Sequence, residues 1–489
     1  MKGIFLCGPV LLPLLCGAGL YLLPLRSQRT RERVSFAAVC ATSLWILALL
    51  ISHPADRVEL LRIAEDLPLA LRCDGLGMVF LALIAFLWPL ADAYASEYMA
   101  DEEHRASFFA FYTMSYGVTA GVALSANLIT MYLFYELLTL VTVPLVAHER
   151  NKRSMAAARK YMVYSICGAA MAFAGIVLLI RRTGCADFAF GGSFGSAEKA
   201  DNVILTAYML TFAGFGVKAA VFPFHGWLPS AGVAPTPVTA LLHAVAVVKS
   251  GVFACIRSTF YAFGTEALSG TWAQKVVLMM AAFTIIYGSA MAYREQHWKR
   301  RLAYSTVSNL SYILFGMALM TADGLTAGLS HMLFHGIMKI TLFFCAGTVL
   351  CKTGRAYVDE TEGLGRKMPL TFTVYAVASL ALTGAPLLPG FVSKMNLLNA
   401  AAALGGGVAV FGVVALIISA LLTAAYLLPM SVRSFLPHEG FSGEFTAKDR
   451  DPSYRMLIPF AVLTAAMLYF GFRSGPLMNL LDRLISGGM

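Results

Sequence analysis

The segment from Gly214 to Gly251 reads GFGVKAAVFPFHGWLPSAGVAPTPVTALLHAVAVVKSG, an apolar run that is interrupted by Pro and Gly and carries Lys218 and Lys249. A second segment, LTGAPLLPGFVSKMN from Leu382 to Asn396, repeats this combination with Lys394. Inside a membrane, an interrupted helix is tolerated only where its freed backbone groups face protein or water. Two such breaks in corresponding places of two halves indicate the ion site of an inverted-repeat transporter.

The composition is that of an integral membrane protein. Of the 489 residues, 58% are hydrophobic and only 13% are charged, whereas soluble domains use about half apolar and about a quarter charged residues. Apolar stretches long enough to cross a bilayer recur along the chain. We therefore predict an all-α polytopic fold with about 14 transmembrane helices: Ile4–Leu23, Val34–Ile51, Gly75–Ala95, Phe108–Ser125, Leu128–Val146, Ala156–Ile180, Val203–Phe222, Val238–Phe260, Val276–Ala292, Leu302–Met320, Leu325–Leu350, Leu370–Leu397, Val408–Pro429 and Met456–Phe472.

The helix breaks divide these predicted spans into two similar sets. Spans four to eight and nine to thirteen each contain five helices, and the fourth helix of each set is interrupted and carries a lysine. An odd number of spans gives the two sets opposite orientations, so we predict two inverted five-helix repeats. The predicted boundaries are 1–106 for three leading helices, 107–265 and 266–430 for the two repeats, and 431–489 for a loop and the last helix.

The net charge of +10 is not gathered into a basic domain that would bind nucleic acid. Most Lys and Arg residues instead fall in the loops after odd-numbered spans, Arg26 and Lys448 among them, whereas fewer, such as Lys199, fall on the opposite side. By the positive-inside rule, the odd loops are cytoplasmic and both termini lie on the outer side. The first span ends in a basic loop without a cleavage-like site, so we expect that this helix is retained. The expected location of the protein is a bacterial or archaeal plasma membrane.

Four lysines and one glutamate interrupt stretches that otherwise read as membrane-spanning helices. A charged side chain at the bilayer centre costs about 2.5–3.5 kcal/mol on insertion scales, so such residues normally face a bundle interior or a water path and mark a transport route. We therefore interpret the following residues as a proton relay: Glu136, Lys218, Lys249, Lys339 and Lys394.

Lys218 and Glu136 form the first predicted step of this relay. Burial disfavours the ammonium form of a lysine, whereas a nearby carboxylate favours it. If Glu136 approaches and retreats, Lys218 becomes a switchable proton donor. The alternative is a static buried ion pair that orders two helices, although such pairs seldom stabilise a fold once desolvation is counted.

The next predicted steps lie in the eighth and eleventh spans. Lys249 lies midway along the eighth span and could accept the proton that Lys218 releases. His331, His335 and Lys339 follow at steps of four residues, which places them on one face of the eleventh helix. Histidine can accept a proton on one nitrogen and donate from the other, as a proton wire requires. The alternatives are a metal pair or satisfied polar packing for the histidines, and a bundle anchor for Lys339.

The remaining candidates flank the helix breaks. Lys394 is placed to release the proton at the end of the path, unless it reaches the interface from a short half-helix. His225 and His243 lie on either side of the first break, where histidines often satisfy freed carbonyls. Asp74 is a site candidate that is equally explained as a helix cap. Arg257, near the outer end of its helix, is predicted to be an interface anchor.

Five ordered motifs carry a resemblance to a known family. They are KAAVFPFHGWLPSAGVAPTPVTALLHAVAVVKSGVF from Lys218, WKRRLAYSTVSNLSYILFG from Trp298, HMLFHGIMKITLFFCAG from His331, GLGRKMPLTF from Gly363 and LTGAPLLPGFVSK from Leu382. In this order they resemble the antiporter-like membrane subunits of respiratory complex I, Mrp-type sodium/proton antiporters and membrane-bound hydrogenases. The resemblance extends roughly from Asp74 to Lys394 and implies the same inverted-repeat fold, with a proton path along the membrane midplane.

The resemblance also implies roles for individual residues. By motif position, Glu136 resembles the family's fifth-helix glutamate and Lys218 its seventh-helix lysine partner. The family's central axis falls on Lys249, His331, His335 and Lys394, with Lys339 in the same eleventh-helix motif. The chain departs from the family pattern at Ser230, Asn309, Ser311 and GAPLLPG, which leaves its branch open. Only a short amphipathic tail follows Phe472, so we do not expect the branch with a long lateral helix.

These observations predict a subunit that moves protons within a larger membrane assembly, with sodium antiport left open. Its expected partners are other membrane subunits and the lipid bilayer, and not nucleic acid. The nine cysteines show no CxxC spacing, so we expect no metal, no cofactor and no redox chemistry in the chain itself. The alternatives are a quinone-associated redox subunit of an NADH:quinone oxidoreductase and a structural anchor for soluble subunits. Whether the chain is part of an enzyme stays open.

Overall fold

The computed structural model describes residues 2–23, 27–54, 56–64, 67–192, 200–439, 441, 445–447 and 449–486. Three basic residues used for the predicted orientation, Arg26, Lys199 and Lys448, lie outside these residues. The described chain is mostly helical, and ten of its helical segments are long and apolar enough to cross a membrane. The chain is therefore an integral, multi-pass membrane protein.

Several helices begin where a polar side chain accepts a hydrogen bond from a backbone N–H of the first turn; these caps are Asp74, Asn127, Asn151, Asp201, Thr271, Thr321 and Ser453. The helices are α1 Lys2–Leu22, α2 Gln28–Ser52, α3 Gly75–Tyr98, α4 Arg105–Leu124, α5 Leu128–Val146, α6 Lys152–Thr183, α7 Asn202–Lys218, α8 Trp227–Ala231, α9 Thr236–Ala244, α10 Val247–Arg257, α11 Thr265–Leu268, α12 Trp272–Arg294, α13 Trp298–Ala318, α14 Ala322–Thr353, α15 Pro369–Thr383, α16 Pro389–Leu404, α17 Gly406–Phe435, α18 Tyr454–Phe472 and α19 Gly475–Ser486. Short 3-10 turns span Phe224–Gly226, Asp359–Thr361 and Leu364–Arg366, and a π-helical turn spans Ser258–Phe263.

A β-hairpin between α2 and α3 is the exception to the predicted all-α fold. Strands β1 (Arg57–Ala64) and β2 (Leu67–Arg72) pair in antiparallel register. The carbonyl of Ala70 accepts from the Ala126 N–H at 3.0 Å, and the Ala70 N–H donates to Thr130 Oγ1 at 3.0 Å. The hairpin thus ties the α2–α3 connection to the start of α5. The strands have 8 and 6 residues. A search for apolar stretches of about 20 residues, which is the length of a membrane span, does not detect elements this short.

The centre of the bundle is formed by α14 and by the α9–α10 segment. The most apolar 18-residue stretch of Thr236–Phe263 is 100% buried and that of α14 is 89% buried, whereas that of α18 is 28% buried. The helix α14 packs against α3, α9, α13, α15, α16 and α18. Polar side chains on α10 and α14 are therefore kept away from lipid by a surrounding layer of more apolar helices.

Both predicted helix interruptions are present. Helix α7 ends at Lys218, and the chain turns through Ala220, at φ 55°, before the 3-10 turn and α8. Helix α15 ends at Thr383 and α16 begins at Pro389, with Gly384 between them at φ 97°, a conformation that glycine adopts without strain. At the first break the Val217 carbonyl accepts from Trp227 Nε1, and at the second the Leu382 and Thr383 carbonyls accept from Lys394, as a break inside a membrane requires.

A third interruption was not predicted. The predicted span Val238–Phe260 is present within one candidate span, but it is not a continuous helix, because α9 ends at Ala244 and α10 begins at Val247. Lys249 lies in the first turn of α10 and not in the middle of an unbroken helix. The run from Ala244 to Val248 contains neither Pro nor Gly, and the sequence therefore gives no sign of this break.

Candidate functional site

The pair formed by Glu136 and Lys218 joins α5 to α7. Lys218 is fully buried, and its Nζ lies 3.9 Å from Oε1 of Glu136. The ammonium donates a hydrogen bond to the backbone carbonyl of Tyr135 and lies 3.4 Å from the centroid of the Tyr135 ring. Oε1 of Glu136 accepts no hydrogen bond from the described residues. The ion pair is therefore loose, and Tyr135 fixes the position of the lysine.

Lys249 and His335 make the most direct contact between two candidate relay groups. Lys249 Nζ lies 2.8 Å from His335 Nδ1, and both side chains are fully buried. The contact joins α10 to α14. At this distance one shared hydrogen links the amine to the imidazole, so a proton can pass between them without rearrangement of either helix.

His331 continues the path from α14 to α16. Its ring stacks on the His335 ring at a centroid distance of 5.9 Å, and its Nδ1 lies 2.9 Å from Ser393 Oγ. Its Nε2 lies 3.2 Å from Oδ1 of Asn309, whose Nδ2 donates to the Ser305 carbonyl. This second bond orients the Asn309 amide so that its oxygen accepts from the imidazole. A departure from the family pattern is thus part of the candidate site.

Lys394 lies beside this histidine and holds the end of the broken helix. Its Nζ donates to the carbonyls of Leu382 and Thr383 at 2.7 and 3.0 Å, two groups freed where α15 ends. It also lies 5.4 Å from the centroid of the Tyr312 ring, which in turn stacks on His331. The side chain is only 7% exposed. The alternative of a lysine that reaches the interface is therefore not supported.

Lys339 begins a hydrogen-bond chain toward one surface. Its Nζ donates to Ser305 Oγ at 2.7 Å, and the Tyr426 hydroxyl donates to the same oxygen at 2.7 Å. Tyr426 lines a cavity of about 500 Å³ together with Arg301 and Arg433. This cavity lies at the ends of α12 and α17, next to the connection that follows α14. The chain Lys339–Ser305–Tyr426 thus leads from the buried centre to an open cavity.

The two weaker histidine candidates, His225 and His243, lie mainly against aromatic rings. His225 packs against Phe222 and Tyr287, and its Nδ1 has no partner among the described residues, so it does not satisfy freed carbonyls through that atom. His243 is fully buried against the Phe343 ring, and neither ring nitrogen has a hydrogen-bond partner in the described part of the chain. Freed carbonyls therefore do not explain His243, and they do not explain Nδ1 of His225.

Asp74 has a structural role. It caps α3 by accepting from the Gly77 N–H, and its two oxygens accept from Arg257 at 2.6 and 2.7 Å. Arg257 is fully buried, so the prediction that it anchors the protein at the membrane interface is wrong. The pair instead joins the start of α3 to the end of α10, because a buried arginine requires a carboxylate partner.

Two sequence profiles match the chain. The profile described as "NADH:quinone oxidoreductase/Mrp antiporter, TM" matches residues 125–423, and that of "NADH-Ubiquinone oxidoreductase (complex I), chain 5 N-terminus" matches residues 62–109. The chain belongs to the NADH:quinone oxidoreductase/Mrp antiporter family. The resemblance inferred from the five motifs is therefore confirmed. All the candidate relay residues lie within the matched ranges of this antiporter family.

The curated relatives include a subunit of an NADH-quinone oxidoreductase and subunits of cation/proton antiporters. The chain is 32% identical over 402 residues to the N subunit of the NADH-quinone oxidoreductase of Desulforudis audaxviator, covering 81% of this chain and 79% of the relative. It is 35% identical over 325 residues to the probable A/B subunit of a K(+)/H(+) antiporter of Rhizobium meliloti, covering 66% of this chain and 32% of the relative. The chain thus spans only about a third of that potassium antiporter protein, and it spans 53% of the A1 subunit of a Na(+)/H(+) antiporter of Staphylococcus aureus.

Solved structures show the same fold. The chain superposes with a TM-score of 0.85 and 22% identity on a chain of an archaeal membrane-bound sulfane sulfur reductase, covering 98% of this chain and 96% of the other. It superposes with a TM-score of 0.83 and 22% identity on a chain of the Mrp complex from Dietzia, covering 100% and 98%. The respiratory complex I of Thermus thermophilus gives a TM-score of 0.82 at 23% identity, covering 99% and 98%.

The charged members of the candidate site stand out in the sequence, but the groups that contact them do not. Ser305, Tyr312, Ser393 and Tyr426 contact the candidate relay, yet hydroxyl residues are too common in membrane helices to stand out. Asp92 was missed for a different reason. It lies in α3 and is buried, so the rule that selected Glu136 would have selected it as well.

Proposed function

We propose that this chain is a proton-translocating membrane subunit of a larger assembly. The proposed relay comprises Glu136, Lys218, Lys249, His335, His331 and Lys394, with Lys339 as its connection to one surface. The observation that carries the proposal is the 2.8 Å contact between Lys249 and His335, which the stacked His331 extends to α16. Buried titratable groups that meet between helices, Lys249 with His335 and Lys218 with Glu136, are what proton transfer needs, whereas a structural anchor does not need them.

We further propose that the chain crosses the membrane fourteen times in two inverted five-helix units, 107–265 and 266–430, with three leading helices at 1–106 and a last helix within 431–489. Ten candidate spans, the 20-residue α4, the 21-residue α13 and the two broken helices that contain α7 and α15 supply these crossings. Each unit then has its broken helix in fourth position, which supports the repeat. The break between α9 and α10 has no counterpart in the continuous α17, and the two units therefore differ there.

The proposed orientation places the cavity beside Tyr426 on the cytoplasmic side and both termini outside, in a bacterial or archaeal plasma membrane. The basic loops that follow odd-numbered spans support this orientation. The solved relatives are multi-subunit membrane complexes, and we propose other membrane subunits as partners. Since the curated relatives are named for sodium, potassium or quinone, the coupling ion is left to experiment.

The test is proton transport by the reconstituted assembly. Lys218→Met removes the ammonium from the first relay step but keeps an apolar side chain of similar length in its place. Lys275→Met is the matched control, because Lys275 is exposed on α12. We expect Lys218→Met to abolish dye-reported proton uptake into vesicles, while assembly and membrane insertion stay normal, and Lys275→Met to behave like the unmodified protein.

Full proton uptake by an assembly that contains Lys218→Met would contradict the proposed relay. Such a result would favour the alternative of a quinone-associated redox subunit, in which the chain would not carry the proton itself. Loss of uptake in both lysine variants would instead point to a general defect in assembly.

A further inference from the structure

A second buried polar cluster lies outside the candidate relay, where α2, α3 and α4 meet. Asp92 of α3 is 1% exposed, and Ser35 of α2 and Thr113 of α4 are both fully buried. Ser35 Oγ lies 3.0 Å from Asp92 Oδ1 and 2.9 Å from Thr113 Oγ1. Thr113 Oγ1 donates to the Phe109 carbonyl at 2.7 Å. The four oxygens therefore form an unbranched chain with three short contacts.

The number of hydrogens in this chain of oxygens determines whether the Asp92 carboxyl group is protonated. Each short contact between oxygens needs one hydrogen, because two lone pairs facing each other at this distance repel. The hydroxyls of Ser35 and Thr113 supply two hydrogens, and Thr113 uses its own on the Phe109 carbonyl. Ser35 has one hydrogen for its two remaining contacts. The third hydrogen must come from Asp92.

A neutral Asp92 satisfies every contact in one direction. In that state the acid O–H would donate to Ser35 and the Ser35 hydroxyl would donate to Thr113, whose own hydroxyl donates to the carbonyl of Phe109. An ionised Asp92 would accept from Ser35 and leave the contact between Ser35 and Thr113 without a hydrogen. The other carboxyl oxygen, Oδ2, has no hydrogen-bond partner among the described residues. A neutral acid tolerates this far better than a carboxylate, whose charge would be spread over both oxygens.

The charges around the site lead to the same assignment. No Lys, Arg or His in the described part of the chain forms a salt bridge with Asp92, and Arg105, at the start of α4, is paired with Glu32 of α2. Among the groups that its charge would reach are Cys40 on α2 and Tyr112 on α4, and neither carries a positive charge. A buried carboxylate without a cation is strongly disfavoured in a membrane interior, so neutralisation by a proton is the economical state.

We propose that Asp92 is a proton-binding site, occupied as a neutral carboxylic acid at neutral pH, within the helices that precede and flank the first five-helix unit. The site is separate from the candidate relay, in which the charged groups are mainly lysines and histidines. It does not depend on the proposed function, because the hydrogen count rests on the geometry of Ser35, Asp92, Thr113 and the Phe109 carbonyl.

Infrared spectroscopy of the full chain in lipid tests this assignment. A protonated carboxylic acid has a carbonyl stretch that a carboxylate lacks. We expect Asp92→Asn to remove one such band from the spectrum of the unmodified protein at neutral pH, and Asp101→Asn, in an exposed loop, to leave it unchanged. The amide of Asp92→Asn can still donate to Ser35, so the fold should be kept.

A second variant protects the test against misfolding. Ser35→Ala leaves Asp92 in place but removes its hydrogen-bond acceptor, so the band should persist and shift in frequency. Identical spectra for Asp92→Asn and the unmodified protein would overturn the proposal.

Discussion

Lys218 lies over the face of the Tyr135 ring, with Nζ 3.4 Å from the ring centroid. The Glu136 carboxylate is farther away, at 3.9 Å. The aromatic ring and the Tyr135 carbonyl therefore stabilise the ammonium continuously, while Glu136 can vary its distance without releasing the lysine. This geometry favours a switch over the static ion pair that the sequence also allowed.

The first prediction concerns this ring. A desolvated cation–π contact is worth about 2 kcal/mol, which corresponds to more than a tenfold change in an equilibrium constant. Tyr135→Leu should therefore lower proton uptake by about tenfold or more. Tyr135→Phe keeps the ring and loses only the 3.3 Å bond to the Phe215 carbonyl, so its uptake should stay near normal. Equal uptake by both variants would show that the ring does not hold Lys218.

The second prediction concerns the close approach of α7 and α10. A Cβ atom added at Gly251 would lie 2.5 Å from the Ala219 nitrogen and 2.8 Å from the Lys218 carbonyl carbon. Gly251→Ala should thus displace the break after Lys218 and cost about 1–3 kcal/mol of stability, as overpacking typically does. Thermal unfolding and proton uptake would both report the change.

The matched control for this prediction lies on α7. A Cβ atom at Gly216 would meet its nearest neighbour, Val221, at an ordinary 3.7 Å. Gly216→Ala should therefore preserve both melting temperature and uptake. A Gly251→Ala protein that matches Gly216→Ala in both measurements would contradict the packing argument.

The third prediction is that Lys249 and His335 act as one unit. Because their 2.8 Å contact carries the proposed proton step, Lys249→Met and His335→Ala should each remove most uptake, and the double variant should be no worse than either. This non-additivity is the signature of residues in direct contact. Additive losses in the cycle would show that the two residues act independently.

The fourth prediction concerns the connection to the cavity. Tyr426→Phe removes the hydroxyl that bridges Ser305 to the cavity wall. Proton uptake should slow, while stability should fall by only about 1 kcal/mol, the usual value for one hydrogen bond. Tyr293 lines the same cavity and has no hydrogen bond to Ser305, so Tyr293→Phe is the control. Normal uptake by Tyr426→Phe would place the route elsewhere.

The fifth prediction separates structural charges from transport charges. Arg257→Met leaves the buried Asp74 carboxylate with Arg72, at 3.5 Å, as its one cationic partner among the described residues, and should destabilise the protein by about 3 kcal/mol or more. The pair of Arg57 and Asp187 is partly exposed, and Arg57→Met should cost about 0–1 kcal/mol. Denaturation in detergent measures both. Equal stabilities would argue against a structural role for Arg257.

The sequence predicted the membrane class, the family and two helix breaks because each has a strong local cause. Lys218 and Lys394 stand out against an apolar background, and Pro389 marks the second break without reference to the rest of the fold. The inverted repeat and the roles of the relay residues remain predictions, since they depend on transport and orientation and not on composition.

The partners of these charges could not be predicted, because they come from distant parts of the chain. The sequence suggested that Lys218 pairs with Glu136, but nothing in it shows that the lysine rests on Tyr135. The break after Ala244 arises in a run without Pro or Gly, where tertiary packing determines the backbone. Arg257 looked like a surface residue because its carboxylate partner is 183 positions away.

The two hydrogen bonds from Lys394 link the charge of this side chain to the backbone conformation at the end of α15. An ammonium donates charge-assisted bonds that are about twice as strong as those of a neutral donor, and here both act on carbonyls at the break. If Lys394 gives up a proton as the proposed relay requires, its two bonds to Leu382 and Thr383 would weaken and the end of α15 would be freed. In the proposed relay, the geometry of the broken helix would then depend on the protonation of a single side chain.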